Sequence, residues 1–378
     1  MDNKQKTTYT ELFTQQAAHG VTEYHAVLHV STPTATWEEQ LSALREAYRQ
    51  LLEERLPEAH PVFHRFYLSD AANQTASLQR AFAGTAGARS IVQQAPLDGT
   101  KVALWVYLMT DVCVEHVTDG NLCHVTHGSY CHLWGGNAPT TGDNSFQQMT
   151  ALFENYACKL HEEGCTLADN CLRTWIYVQN IDVNYAGVVK ARNEVFSGHR
   201  LTRDTHYIAS TGICGRNADP KVSVMMDTLA VKGIRPGQVQ YLYAPTHLNP
   251  TYEYGVSFER GTCVKYGDRR QVFISGTASI NNRGEVVYPG DIRRQTERMW
   301  ENVEALLSEA QCNFSHVGQM AVYLRDVADY AVVKEMFDRK FPDTPKVILL
   351  APVCRPGWLI EMECMAVKSD YMPEFEAL

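Results

Sequence analysis

A short pattern recurs three times along this chain and limits the fold more than any other feature. It reads VFHRFYLSD at 62–70, LRTWIYVQN at 172–180 and QMAVYLRD at 319–326. Each copy is a run of apolar, β-branched and aromatic residues with a tyrosine near its end (Tyr67, Tyr177, Tyr323), closed by a polar turn. Such runs read as buried strands. A repeated strand predicts a repeated supersecondary unit, because each copy has the same apolar face to bury.

The surroundings repeat as well. An amphipathic helix precedes each strand. In the first copy Trp37, Leu41, Leu44, Tyr48 and Leu51 form its stripe, behind a Thr36/Glu39 capping box. In the second, Phe146, Met149, Phe153, Tyr156 and Leu160 do so, with Ser145 and Gln148 as the cap signal. In the third, Ile292, Met299, Val303 and Leu306 follow the turn Pro289-Gly290-Asp291. A shorter helix is predicted after each strand, over 75–82, 185–196 and 330–341, and two extended runs close each copy. The second and third copies open with hairpins at 123–136 and 263–276, at a constant offset of 140 residues. In the first, only 23–30 looks strand-like, so that unit is expected to be trimmed at its start. The predicted fold is α+β: three tandem ββαβαββ units over 1–108, 109–237 and 238–378, with helices on one face of each sheet. The Pro- and Gly-bearing stretch near 233–250 reads as a connector.

Composition narrows the partners. With 43 acidic against 34 basic residues, a net charge of -9 and no basic stripe, a nucleic-acid partner is disfavoured. No stretch approaches a membrane-spanning apolar run, and the polar start lacks a signal-peptide core, so a cytoplasmic protein without a membrane partner is expected. A chain of 378 residues can bury a core without staples, and its 11 cysteines read as reduced thiols. Cys113, His116, Cys123, His124, His127, Cys131 and His132 crowd one region. Strand alternation sends Cys123 and His124 to opposite faces, and the spacing fits no standard finger, so no metal is expected. Gly-rich phosphate cradles are absent, and no cofactor is expected.

The chemistry concentrates in LIEMEC, 359–364, where Glu361 and Glu363 share one face of an otherwise apolar strand. Two carboxylates there are costly unless paired, wet or functional. Desolvation beside a second acid raises a carboxyl pKa toward that of a working general acid.

FISGTASI (273–280), Gly290-Asp291, Gln295, Asn302, VYLRD and LIEMECMAV, in this order, resemble the RidA (YjgF/UK114) family; the second unit resembles a degenerate copy and the first a more distant one. The C-terminal unit is most similar to the chorismatase branch, to which VSFERG (256–261) and CLRTWIYVQNID (171–182) add further likeness. RidA proteins are homotrimers with pockets between subunits, so the resemblance implies an intramolecular pseudo-trimer with three non-equivalent clefts. It also implies a carboxylate-clamping cation and, fifteen positions later, a glutamate that moves a proton; here these are Lys346 and Glu361. Arg355, in the loop between, could supply a planar fork that lysine lacks. Arg260 is implied as an anion contact and Phe258 as a pocket wall. Glu363 and Cys354 are further candidate contacts, Cys354 being a nucleophile only if a histidine reaches it. In the first unit Arg89 matches the clamp position, with Leu104 at the acid position; in the second the two positions are Ser210 and Met225. The implied activity is hydrolysis of a small anionic metabolite, a carboxylate-bearing enamine or imine (deaminase-like) or enol ether (chorismatase-like), with Glu361 catalytic. The alternative is a non-catalytic module binding a small ligand or a protein. The assembly expected is a monomer, closed as a pseudo-trimer, or a low-order homo-oligomer.

Overall fold

A computed structural model describes residues 7–16, 20–116, 122–138 and 140–378. Three sheets share one strand order. The first runs Thr8–Gln15, Glu23–Val30, Val102–Met109, His60–Leu68, Ala88–Gln93. The second runs Leu122–His127, Tyr130–Gly135, Val224–Lys232, Cys171–Val178, Ala209–Cys214, with Cys113–His116 added outside Leu122–His127. The third runs Gly261–Lys265, Arg269–Ala278, Ile360–Ser369, Val317–Leu324, Lys346–Leu350. In each, the strand carrying the repeated tyrosine lies antiparallel to the last strand and parallel to the edge strand. Short additions join the units: Val239–Leu242 extends the third sheet at one edge, and Ala95–Pro96 of the first unit pairs with Leu350 and Leu349 at the other.

The first unit is complete, not trimmed. Thr8–Gln15 pairs with Glu23–Val30 in an antiparallel hairpin, from Thr8↔Val30 to Gln15↔Glu23. This strand is half-exposed and polar (TYTELFTQ), so it lacks the apolar run that marks the others.

The helices follow their caps. Thr36 and Glu39 form the reciprocal capping box, with Glu39 N to Thr36 Oγ1 at 3.3 Å and Thr36 N to Glu39 Oε2 at 2.8 Å. The second long helix, Ser145–Glu162, is capped one residue earlier than its sequence suggests. Asn144 accepts from Gln147 N at 3.0 Å, and Ser145 is already helical. The helices after the repeated strands span Ala71–Ala81, Ile181–Gly198 and Tyr330–Lys340; the first two begin four residues before their predicted starts, and the second, at 18 residues, is as long as Ser145–Glu162 and not shorter.

Helices cover one face of each sheet, and the other faces meet at a common axis. Phe63 of the first unit lies 5.0 Å from Trp134 and 6.4 Å from Trp175 of the second, ring centre to ring centre. Buried charges also meet there. Arg65 of the first unit donates to Asp227 of the second at 3.0 Å and lies 3.6 Å from Glu363 of the third. Arg173 of the second donates to Glu363 at 2.6 Å. Two of the repeated tyrosines complete the network: Tyr177 Oη donates to Asp227 at 3.2 Å and Tyr323 Oη to Glu363 at 3.0 Å. Two cations against two anions leave the axis neutral, the condition under which buried charge is tolerable.

The second and third units meet along a seam. Ser210 N donates to Ser275 Oγ at 2.9 Å and Gly276 N to Thr211 Oγ1 at 2.8 Å. The edge strand Ala209–Cys214 is thereby held against Arg269–Ala278 of the third sheet. A cavity opens at this seam.

Candidate active site

Glu361 pairs with Tyr323 on one side and Ala278 on the other, so its side chain points away from the third unit's helices, toward the second unit. It lines a cleft together with Ser210 and Gly212 of the second unit's edge strand. The carboxyl lies directly over Gly276: a Cβ there would stand 2.1 Å from Glu361 Oε1. Only glycine leaves room for the acid at this point.

Burial raises the Glu361 pKa to about 8, and the charge of Glu363 adds to the effect, while Arg173 and Arg260 act in the opposite direction. The group therefore holds its proton near neutral pH and is available as an acid.

Three guanidiniums line the same cavity. Arg192, from the helix Ile181–Gly198, is 1% exposed, and its Nε and Nη2 have no hydrogen-bond partner among the described residues. Arg260 is buried; its Nη2 donates to the Asn249 backbone oxygen at 2.9 Å and to Oδ1 at 3.1 Å. Arg355 is exposed at the mouth, 5.0 Å over the ring of Tyr254 and 5.5 Å over that of Trp358. Phe258 lies under both inner arginines, 5.4 Å from Arg260 and 5.7 Å from Arg192. Among the described residues none of the three has a carboxylate within ion-pair distance. Unsatisfied buried N–H donors beside an aromatic wall form a receptor for an anion with a flat, apolar body.

Five of the candidate residues thus come together: Glu361, Arg260, Phe258, Arg355 and Cys354. The Cys354 thiol is pushed up to about 12, chiefly by burial and then by the charge of Glu361, so it forms part of the wall and is no thiolate nucleophile.

Three candidates lie elsewhere. Lys346 pairs with Met320, three positions from the Tyr323 that faces Glu361, and an odd separation puts it on the opposite face of the sheet. Its Nζ goes to Glu11 of the first unit at 3.2 Å and to the Phe341 carbonyl at 3.0 Å. Glu363 faces the axis and is taken up by Arg173, Arg65 and Tyr323. Arg89 donates to the Phe82 carbonyl and to Thr85 Oγ1, both at 2.6 Å, at the edge of the first unit. The strand registers also adjust the acid position. Tyr67 pairs with Ala103, so Ala103, one place before Leu104, is the first unit's counterpart of Glu361; Met225 is the second unit's.

Arg192, Tyr185, Tyr254 and Trp358 were not singled out by the sequence reading. A signal for Arg192 existed: it falls on the Tyr185, Val188, Val195 stripe, which packs inward. A cation on an apolar stripe needs an anion.

The Cys/His region places its groups apart. His132 meets Tyr266 Oη at 2.9 Å, His127 the Asp111 carbonyl at 2.6 Å, and His124 lies 3.2 Å from Glu163. Among the described residues, no three His, Cys, Asp or Glu side chains converge as metal ligands. No helix among them is long and apolar enough to cross a membrane.

Comparison with known proteins bears on the same unit. The family model of Endoribonuclease L-PSP matches residues 262–368. A RutC family protein of Pyrococcus abyssi is 33% identical over 99 residues, which cover 26% of this chain and 78% of the relative. The 3-aminoacrylate deaminase RutC of Acinetobacter baylyi is 28% identical over 97 residues, covering 25% and 77%. Among solved structures, a chorismatase superposes with a TM-score of 0.64 at 18% identity, over 81% of this chain and 93% of that one. That likeness extends the shared fold well beyond the C-terminal unit.

Proposed function

We propose that this chain, which belongs to the RutC family within the RidA (YjgF/UK114) superfamily, hydrolyses a small carboxylate-bearing enol ether or enamine by proton transfer from Glu361 to carbon. One observation carries the reading: a buried carboxyl that keeps its proton near neutral pH shares a cavity with three guanidiniums that no carboxylate among the described residues pairs with.

Arg192 and Arg260 hold the substrate carboxylate, and Arg355 closes the mouth. Tyr254, Phe258 and Trp358 flank the body of the substrate. Glu361 gives its proton to the terminal carbon of the double bond, leaving an oxocarbenium or iminium centre beside the carboxylate. Water adds to that centre, and the Glu361 carboxylate takes the proton the water loses. Collapse of the adduct expels an alcohol or ammonia and leaves a 2-oxo acid. A resting acid favours enol ethers and enamines, whose first step is protonation. A preformed iminium needs a base first, and Glu361 is not ionised until the pH passes about 8. The deaminase activity in the name of the Acinetobacter baylyi relative belongs to this chemical class.

The test is turnover of chorismate (an enol ether) and of a 2-aminoacrylate generated in situ (an enamine), by wild type and by Glu361→Gln. Wild type should turn over one of them, with activity falling as pH rises through about 8, where Glu361 loses its proton. Glu361→Gln should bind the substrate and lose roughly 10²–10⁴ in kcat. Undiminished turnover by the variant would remove Glu361 from the mechanism.

A further inference from the structure

A second cavity, of about 80 Å³, lies beyond Arg260, between the second unit's loop 203–207 and the third unit's segment 243–252. At its wall stands Glu259, a carboxylate 6% exposed. Oε1 accepts from the Tyr207 backbone N–H at 2.7 Å. Oε2 receives no hydrogen bond among the described residues, and no cation lies within ion-pair distance of either oxygen. Tyr207, Tyr243 and Tyr252 line the cavity around it, and the latter two keep nearly half their surface exposed, at 45% and 47%.

Neither arginine of this cavity pairs with Glu259, although the charge of Arg260 acts on it from beyond ion-pair distance and opposes the effect of burial. Arg260 is bonded to Asn249 and turned onto Phe258 and Tyr254, on the Glu361 side. Arg203 is a rim residue, 3.5 Å from Asp204. A buried carboxylate with one N–H donor is costly to hold, and burial pushes the Glu259 pKa up. An arriving cation would reverse that cost. Tyrosine faces attract cations, organic ammonium groups among them, by their quadrupole, and a carboxylate beside the rings supplies the hydrogen-bonding charge that a hydrated primary ammonium needs on entering.

We infer that this cavity is a binding site for a small organic ammonium, with Glu259 as its counter-ion and Tyr207, Tyr243 and Tyr252 as its aromatic walls. The site shares Arg260 with the one that holds Glu361, but its counter-ion and its aromatic walls are its own, and it does not depend on the activity proposed there.

The probes are ethylammonium chloride and, as the uncharged match, ethanol, titrated into the full chain by calorimetry at neutral pH and by NMR of the tyrosine rings. Ethylammonium should bind and ethanol should not. Glu259→Gln keeps an oxygen for the Tyr207 N–H and should weaken binding about tenfold or more. Tyr252→Ala, at an exposed ring that folding does not need, should weaken it several-fold. Glu361→Gln should leave it unchanged, which separates this cavity from the other. Absence of ethylammonium binding, equal binding of ethanol, or full retention of binding in Glu259→Gln would each overturn the assignment.

Discussion

At the scale of single residues, the site is built around a carboxyl that the fold keeps protonated. This has a cost that titration exposes. Glu361 begins to ionise near 4.5 in the unfolded chain but only near 8 in the folded one. Between those values the native state holds a proton that the unfolded state has released, so stability declines as pH rises across the window. At about 1.4 kcal/mol per pH unit, the full loss above pH 8 is at most a few kcal/mol. Glu361→Gln removes it: thermal melts should show the variant more stable than wild type at pH 8.5 and level with it at pH 5. Gly276→Ala acts on the same atoms from below, since the added methyl would overlap the carboxyl. It should reduce kcat by at least about tenfold with a smaller effect on melting, the pattern of a displaced reacting group. The sequence exposed Glu361 because an acid in an apolar strand is conspicuous. It misplaced Lys346 because spacing along the chain does not say which face a side chain takes or which unit it meets. Arg192 passed unnoticed because a helical arginine reads as solvated until a second unit covers it.

At the scale of elements, each helix and strand forms for local reasons, and most of those reasons are written in the sequence. Thr36 and Glu39 are read correctly because capping is a contact three residues long. Thr36→Ala should cost about 1 kcal/mol of stability, measurable as a lower denaturant midpoint at unchanged slope. Asn144→Ala should cost a similar amount where Ser145→Ala costs little, which distinguishes the observed cap from its neighbour. The strand Thr8–Gln15 was illegible for the opposite reason. It is an edge strand with few apolar residues, and its pairing with Glu23–Val30 defines it more than its composition does. That strand supplies Glu11, which takes both the backbone N–H and the Nζ of Lys346. The lysine therefore fastens the first unit to the third. Lys346→Met should lower stability by leaving Glu11 with less compensation, yet leave KM for an anionic substrate unchanged; a raised KM would return Lys346 to the site.

At the scale of the whole molecule, three copies of one unit have diverged at the positions that face each other. Ala103, Met225 and Glu361 are counterparts, so of these three positions only the one in the third unit can move a proton. The copies were legible because each repeats a local pattern; the meeting of Arg65, Arg173, Asp227 and Glu363 was not, since it joins residues from all three copies across the axis. This network sits one alternation away from Glu361, and its charges adjust an acid strength that burial raises first. The negative charge of Glu363 raises the Glu361 pKa and the positive charge of Arg173 lowers it. Glu363→Gln removes the first influence and leaves the second unopposed. Both changes favour the ionised form of Glu361, so its pKa falls, and the alkaline limb of a pH–rate profile, where the acid form is lost, should move to lower pH. Arg173→Met should move the same limb upward, and the double variant should bring it back toward wild type. Each single change also strands a buried charge, at roughly 3–5 kcal/mol, so profiles should be taken at a temperature where circular dichroism shows both variants folded. A purely structural role for the axis would lower activity at every pH by the same factor and leave the limb where it stands; an acid tuned through Glu363 and Arg173 must instead titrate in opposite directions when one or the other is removed.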